Sequence, residues 1–88
     1  MECKIRMGGG KTNFVEAFME YQLPEDYYPS DIHLYAAKTY SMLFQGIADW
    51  FLANPTYVPL AVTLLSEEVA TRTQNVRLTV FIEKCDAN

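Results

Sequence analysis

The segment from Asp31 to Ala53, DIHLYAAKTYSMLFQGIADWFLA, decides how the rest of this chain folds. Ser30 precedes it and can accept a hydrogen bond from a free N–H group of the first helical turn. Asn54-Pro55 ends it, because a residue before proline is disfavoured in the helical conformation. Apolar residues recur at helical spacing around most of its circumference. Because so little of its surface is polar, the sequence predicts a central helix that is covered on more than one side.

The composition is that of a small globular domain. The chain has 88 residues, of which 50% are hydrophobic and 20% charged, so we expect one domain spanning residues 1–88. The formal net charge of −4 argues against general duplex-DNA binding, whose affinity comes largely from cationic contacts to phosphates. Two cysteines are too few for a disulfide scaffold or a four-cysteine zinc site. Neither a signal segment nor a membrane-spanning apolar run is evident, so we expect a cytoplasmic protein.

Two strands are predicted near the ends of the chain. Cys3, Ile5 and Met7 alternate with charged residues, and the segment from Asn75 to Lys84 alternates apolar and polar residues in the same way. Neither strand is stable alone, so we predict that they pair directly with each other. Cys3 falls on the buried parity of its strand and Cys85 on the exposed parity. Since cross-strand neighbours project to the same face, a disulfide between the two cysteines is not expected.

A first additional helix is predicted between the glycines and the acidic loop. Asn13 and Glu16 form a capping-box pattern, and the apolar residues that follow fit one face of a helix. Leu23-Pro24 should end it.

The segment from Tyr57 to Arg72 allows two interpretations. We favour a further helix with Pro59 in its first turn, where the missing N–H is harmless. The alternative is a buried strand from Val58 to Leu65 followed by a hairpin arm, since valine, threonine and leucine are plentiful there. The predicted class is α+β: a long central helix plus one or two further helices, packed on one face of a small sheet that contains the terminal strands.

The sequence indicates no catalytic or metal centre. His33 is the only histidine, and no activating partner lies near it in sequence. Glu67 and Glu68 are adjacent, and adjacent residues of a helix do not face the same way. No cluster of histidine, cysteine, aspartate and glutamate has the spacing of metal ligands. We therefore expect no enzyme activity, no cofactor and no metal.

The segment Gly8-Gly9-Gly10-Lys11-Thr12 places Gly-Lys-Thr between a predicted strand and a predicted helix. The full phosphate-loop pattern needs another glycine at the position that Ile5 occupies, so the pattern fails. A flexible connector is favoured. Phosphate or anion binding at the Gly8–Thr12 loop is kept as an alternative, because a glycine-rich turn before a helix can hold an anion through backbone N–H groups.

Charge and aromatic residues favour a protein-binding function. Acidic residues concentrate between residues 12 and 70, where Lys38 is the only basic side chain, and aromatic residues are abundant in the same region. Tyrosine and tryptophan are enriched at protein interfaces. We therefore predict a small acidic non-enzymatic protein-binding module, a regulator or inhibitor whose partner is a protein with a basic surface. Phage-encoded inhibitors of host nucleic-acid-binding machinery are typical of this class.

The predicted partner-binding residues are acidic or aromatic, namely Glu16, Glu20, Glu25, Asp26, Tyr27, Tyr28 and Asp31. A homodimer through the helix from Asp31 to Ala53 is compatible with this hypothesis. The alternative is a module that binds single-stranded nucleic acid on a mildly basic face of the sheet, with a stacking aromatic among cations. Its residues would be Lys4, Arg6, Arg77 and Phe81.

Overall fold

The described part of the chain forms one helix on a four-stranded antiparallel sheet. The computed structural model describes residues 3–9, 13–26 and 32–85. Their elements, in chain order, are β1 (Lys4–Gly8), β2 (Phe14–Gln22), α1 (Ile32–Ala53), β3 (Tyr57–Ala70) and β4 (Thr73–Lys84). The strands lie in the order β1-β2-β4-β3, and every neighbouring pair is antiparallel. Helix α1 packs on one face of the sheet, over β2 and β4. We call the opposite face the uncovered face.

The core lies between α1 and the two middle strands. Alternate residues of β2 and β4 point toward the helix, because side chains alternate between the two faces of a strand. On the helix, Thr39, Leu43 and Ile47 lie one turn apart and are buried against the sheet. The buried hydroxyl of Thr39 donates to the Tyr35 carbonyl at 2.8 Å, so it has a partner. The buried apolar residues are Val15, Ala17, Met19, Tyr21, Leu23, Leu43, Ile47, Val76, Leu78, Val80 and Ile82.

The predicted central helix is confirmed, and its C-terminal end is closed as the sequence indicates. The Asn54 side-chain amide donates to the Trp50 carbonyl at 2.8 Å, and the Asn54 backbone N–H donates to the Phe51 carbonyl at 3.2 Å. These bonds satisfy carbonyl groups that the end of a helix leaves without partners. Pro55 follows directly and prevents continuation of the helix.

The prediction of a helix after Asn13 is wrong, because this segment is strand β2. Its apolar residues fit both the helical period of 3.6 residues and the strand period of two. Val15, Ala17 and Met19 face α1. Phe14 and Phe18 lie on the uncovered face. A strand that carries apolar residues on both faces resembles a short amphipathic helix in sequence. The segment is a strand because its backbone pairs with β1 on one side and with β4 on the other.

The favoured helix from Tyr57 to Arg72 is also wrong. The segment is a strand, as in the alternative, but it extends from Tyr57 to Ala70 rather than from Val58 to Leu65 and is exposed rather than buried. Strand β3 pairs with β4 as a hairpin, joined by the turn Thr71-Arg72. Arg72 has a φ of 59°, in the left-handed region that such a tight connection requires. Its carbonyl accepts a hydrogen bond of 2.7 Å from the Leu23 N–H, which ties the turn to the end of β2.

The α+β class is confirmed, but the topology differs from the prediction. The further helices are strands, and the two terminal strands do not pair with each other, because β2 lies between β1 and β4. The prediction paired the terminal strands with each other because it assigned residues of β2 and β3 to helices, so no other strand was available as a partner. Each of them in fact has a hairpin neighbour, β2 for β1 and β3 for β4.

Candidate protein-interaction surface

Strand β3 is the long edge of the sheet, and its residues are exposed. It contains 14 residues, and all of them except Tyr57 are classed as exposed. One side of its backbone pairs with β4, and the other side faces no strand in the described part of the chain. The pairing with β4 is irregular between Pro59 and Ala61 and again between Glu68 and Ala70. Residues 61–68 therefore form a regular strand whose outer N–H and C=O groups are available to another strand.

The apolar layer of the core continues onto β3, where α1 does not cover it. Val62 lies opposite Val80, and Leu64 lies opposite Leu78, so both project to the face on which α1 packs. Val80 and Leu78 are buried, whereas Val62 is 56% exposed and Leu64 is 45% exposed. The cause is the position of α1, which packs mainly over β2 and β4 and leaves these two residues of β3 uncovered.

Phe44 extends this apolar surface onto the helix. A Cβ at Gly46 would lie 3.1 Å from the Ile5 side chain, so that flank of α1 faces β1. Phe44 lies two residues away, on the other flank by the 3.6-residue period, and therefore on the side of β3. It is 53% exposed. We call the outer edge of residues 61–68, together with Val62, Leu64 and Phe44, the β3 surface.

No charge interrupts the first part of this strand. Residues 57–66 contain no acidic or basic side chain, and the carboxylate of Glu67 is 3.6 Å from the Arg77 guanidinium within the same sheet. Edge strands usually carry charges or prolines that prevent another strand from pairing. Pro59 is the only such residue before Glu67, and it lies outside the regular stretch. The edge is therefore open to association.

The helix itself offers less apolar surface than its sequence indicates. Its large exposed apolar side chains, among those that the structure describes, are Phe44 and Leu52. Lys38, Gln45 and Asp49 are exposed polar residues, and the Gln45 amide donates to the Asp49 carboxylate at 2.9 Å. Phe44 and Leu52 are thus the large exposed apolar side chains that the described part of α1 offers to a homodimer through the helix, which stays a prediction.

Glu16, a predicted partner-binding residue, is engaged inside the fold. It lies on the uncovered face of β2 and is only 5% exposed. One carboxylate oxygen is 3.2 Å from Nε of Arg6 on β1, and the Thr79 hydroxyl on β4 donates to the other at 3.5 Å. The carboxylate joins three strands rather than facing a partner.

The other predicted acidic residues are distributed over two places. Glu20 is exposed near the end of β2, and Glu25 and Asp26 are exposed in the turn that follows it. Glu25 is 3.5 Å from the Arg72 guanidinium, and the exposure of its side chain makes this ion pair weak. Tyr27, Tyr28 and Asp31 lie outside the described residues.

The residues predicted for nucleic-acid binding share the uncovered face. Lys4 and Arg77 lie on either side of Phe18, since both pair with it across neighbouring strands. The Arg6 guanidinium lies 5.7 Å from the centre of the Phe18 ring, within the range of a cation–π contact. Phe81 lies opposite Phe14 of β2, on the same face. The sequence prediction missed Phe14 and Phe18, because it assigned their segment to a helix.

Carboxylates balance the cations of this face. Two of the three cations, Arg6 and Arg77, are ion-paired to glutamates. By strand alternation, Glu20 and Glu83 project to the same side. The described part of the uncovered face is therefore mixed in charge rather than basic.

The glycine-rich loop has a packing role at its start. A Cβ at Gly8 would overlap the ring of Phe14, the residue opposite it on β2, whereas a Cβ at Gly9 would meet open space. Gly10, Lys11 and Thr12 lie outside the described residues, so the anion-binding alternative stays a prediction.

The described residues show no cluster of three or more histidine, cysteine, aspartate or glutamate side chains that could hold a metal ion. Cys3 and Cys85 are both free thiols. Burial raises the pKa of the Cys3 thiol above its ordinary value. In the part of the chain that the structure describes, α1 lacks the apolar length that a membrane-crossing helix needs.

Comparison with protein-family models, with curated proteins and with solved structures finds nothing that matches this chain.

Proposed function

We propose that this chain is a small non-enzymatic protein-binding module, a regulator or inhibitor, which acts through the β3 surface. The observation that carries the proposal is the exposure of Val62 and Leu64 beside an unpaired backbone edge. Exposed apolar patches next to a free strand edge are typical of sites at which another polypeptide adds a strand. Backbone hydrogen bonds supply affinity in this mode, and apolar side chains supply specificity.

The acidic character of the chain supports electrostatic steering of the encounter. The formal net charge is −4, and Glu20, Glu25 and Asp26 are exposed at one end of β2. Complementary charge raises the association rate more than it raises affinity. A partner with a basic surface would thus be favoured at the encounter, while contacts at the β3 surface would hold the complex.

The test is affinity capture from a lysate of the natural host cell, with wild type and two matched variants. Val62→Lys places a charge in the β3 surface, and Leu52→Lys places the same charge at a leucine of α1 that is 81% exposed. We expect wild type and Leu52→Lys to retain the same protein, and Val62→Lys to lose it. Equal retention by all three proteins would contradict the proposal. Nuclease-treated and untreated lysates are run in parallel.

A second candidate function is binding of single-stranded nucleic acid on the uncovered face. The observation that favours it is the alignment of Phe14, Phe18 and Phe81 with arginines on one open side of the sheet. Bases stack on such aromatic rings. Because carboxylates neutralise two of the cations, binding should depend on stacking and show a shallow salt dependence.

Oligonucleotide retardation tests this second function. Phe18→Ala and Phe81→Ala should each weaken retardation of a single strand, while Arg77→Glu should reduce it less. Absence of retardation for every oligonucleotide at low salt would rule the function out.

A further inference from the structure

We infer that the polypeptide that occupies the β3 surface is a second copy of this chain, paired antiparallel through β3 about a two-fold axis at Thr63. This inference rests on the proposed function, since it names one occupant of the same surface. A second copy has the same net charge of −4, so the apolar strand pairing and not electrostatic steering would hold it. The axis is perpendicular to the sheet, so two four-stranded sheets would become one continuous sheet with both helices on the same side.

The residue pattern of β3 is nearly symmetric about Thr63. In antiparallel pairing, residues at equal distances from the axis lie opposite each other and share a face. Val62 then meets Leu64 of the second copy on the helix side, and Ala61 meets Leu65 on the uncovered side. Every pair from 61 to 65 except the axial threonines is apolar against apolar. All of these residues lie inside the regular stretch of β3.

Neighbouring registers are less favourable. An axis at Leu64 would set the polar Thr63 opposite Leu65 of the second copy, and Ala61 opposite Glu67. An axis at Val62 would set Thr63 opposite Ala61 and bring Pro59, which has no N–H to donate, nearer to the centre of the pairing, opposite Leu65. Because a shift of the axis changes which side chains meet, the apolar pattern selects the register at Thr63.

Charge permits this self-association. Residues 57–66 are uncharged, so no like charges meet along the centre of the pairing. In the Thr63 register, Glu67 and Glu68 lie opposite Pro59 and Val58 of the second copy, near the two ends of the interface. The carboxylates of the two copies are therefore kept far apart.

The area of the contact is that of a weak dimer. In the Thr63 register residues 57–69 of the two copies overlap, so 13 of the 14 residues of β3 face each other over about 43 Å, at a rise of ~3.3 Å per residue. With the ~10 Å thickness of a sheet and its side chains, the edge presents about 430 Å² per copy, or ~860 Å² in total. This is close to the ~800 Å² limit of most lattice contacts and about half of the standard ~1,600 Å² interface. We therefore expect a dimer that forms at high protein concentration and dissociates on dilution.

Sedimentation velocity over a wide range of protein concentration tests the dimer. The mass should rise from that of the 10.1 kDa chain to twice that value for wild type and Leu52→Lys. Val62→Lys should stay monomeric, and far-ultraviolet circular dichroism should show that it is folded. A monomer at every concentration would overturn the inference, as would a dimer that Val62→Lys leaves unchanged.

Cysteine cross-linking tests the register independently, in a Cys3→Ser/Cys85→Ser background. Opposed Cα atoms at the axis lie about 4.5–5.5 Å apart, within reach of a disulfide, so Thr63→Cys should form a linked dimer with a mild thiol oxidant. Glu67→Cys is the matched control, because its two copies would be about 26 Å apart at ~3.3 Å per residue. Linkage at position 67 but not at position 63 would overturn the register.

The two proposals fail in distinguishable ways. If the chain is monomeric and Thr63→Cys does not cross-link, self-pairing is excluded. In that case the proposed function survives if wild type retains a lysate protein that Val62→Lys loses, and it fails as well if the two retain the same proteins.

Discussion

The ion pair between Arg6 and Glu16 should show an unusual asymmetry: removal of the exposed partner should destabilise the fold more than neutralisation of the buried one. The Arg6 side chain is 61% exposed, whereas that of Glu16 is 7% exposed. In Arg6→Ala the buried carboxylate keeps only the Thr79 hydroxyl at 3.5 Å. In Glu16→Gln no buried charge remains, and the freed guanidinium can be hydrated.

The magnitudes follow from these exposures. Loss of one partner of a fully buried pair costs ~3–5 kcal/mol, and a hydrogen bond to a charged group contributes ~1.5–3 kcal/mol. Because water can replace the exposed Arg6 group, we expect Arg6→Ala to lower the free energy of unfolding by about 2 kcal/mol. Glu16→Gln should lower it by less than ~1 kcal/mol, the usual range for a pair with one exposed member.

The double variant gives the decisive comparison. Arg6→Ala/Glu16→Gln has neither a buried charge nor an unpaired carboxylate, so it should be more stable than Arg6→Ala alone. Urea unfolding at one fixed protein concentration measures all three variants, with Lys4→Ala as a control on the same strand, expected within ~0.5 kcal/mol of wild type. A double variant less stable than Arg6→Ala, or Glu16→Gln as damaging as Arg6→Ala, would refute the reasoning.

Three further predictions concern other parts of the fold. Leu43→Ala should lower the free energy of unfolding by about 3 kcal/mol, because Leu43 is fully buried. The control Leu52→Ala should change this free energy by less than ~0.5 kcal/mol. Equal effects of the two substitutions would contradict the docking of α1 on the sheet. Gly8→Ala should reduce stability by ~1 kcal/mol or more through overlap with the opposing aromatic ring, whereas Gly9→Ala should not reduce it comparably, as urea unfolding would show. Burial raises the pKa of Cys3 from 9.0, so its stabilising contribution is complete below pH 9.0 and is lost as the pH rises through the folded-state pKa. Stability measured against pH should therefore fall less steeply above pH 9.0 in Cys3→Ala than in wild type, and identical slopes would exclude the effect.

The elements that the sequence predicts correctly have one clear period each. The central helix has a proline stop and a long helical repeat, and the terminal strands alternate cleanly. Strand β2 was missed because it is apolar on both faces, with Phe14 and Phe18 opposite the core residues, so its pattern also fits a helix. The strand conformation of β2 depends on pairing with β1 and β4, which is a tertiary interaction that a local sequence pattern does not predict.

The candidate surface was missed for a related reason. The prediction of a helix from Tyr57 to Arg72 does not place this segment at the edge of a sheet, so the exposure of Val62 and Leu64 could not be foreseen. The available signal was the absence of charge from residues 57 to 66, combined with β-branched residues, which favours a strand. Whether such a strand is central or at an edge depends on where the helix docks, and that depends on the order of the strands in the sheet.

The strand order also divides the folding of this chain into local and distant steps. β1 with β2 and β3 with β4 are hairpins, so each can close through a short connection. The seam between β2 and β4 is different, because pairing Gln22 with Thr73 encloses all of α1 and β3 in one loop. Closing a long loop has an entropic cost that is paid before its contacts form. The seam should therefore limit the folding rate, and until it closes the apolar faces of both hairpins are exposed to intermolecular pairing.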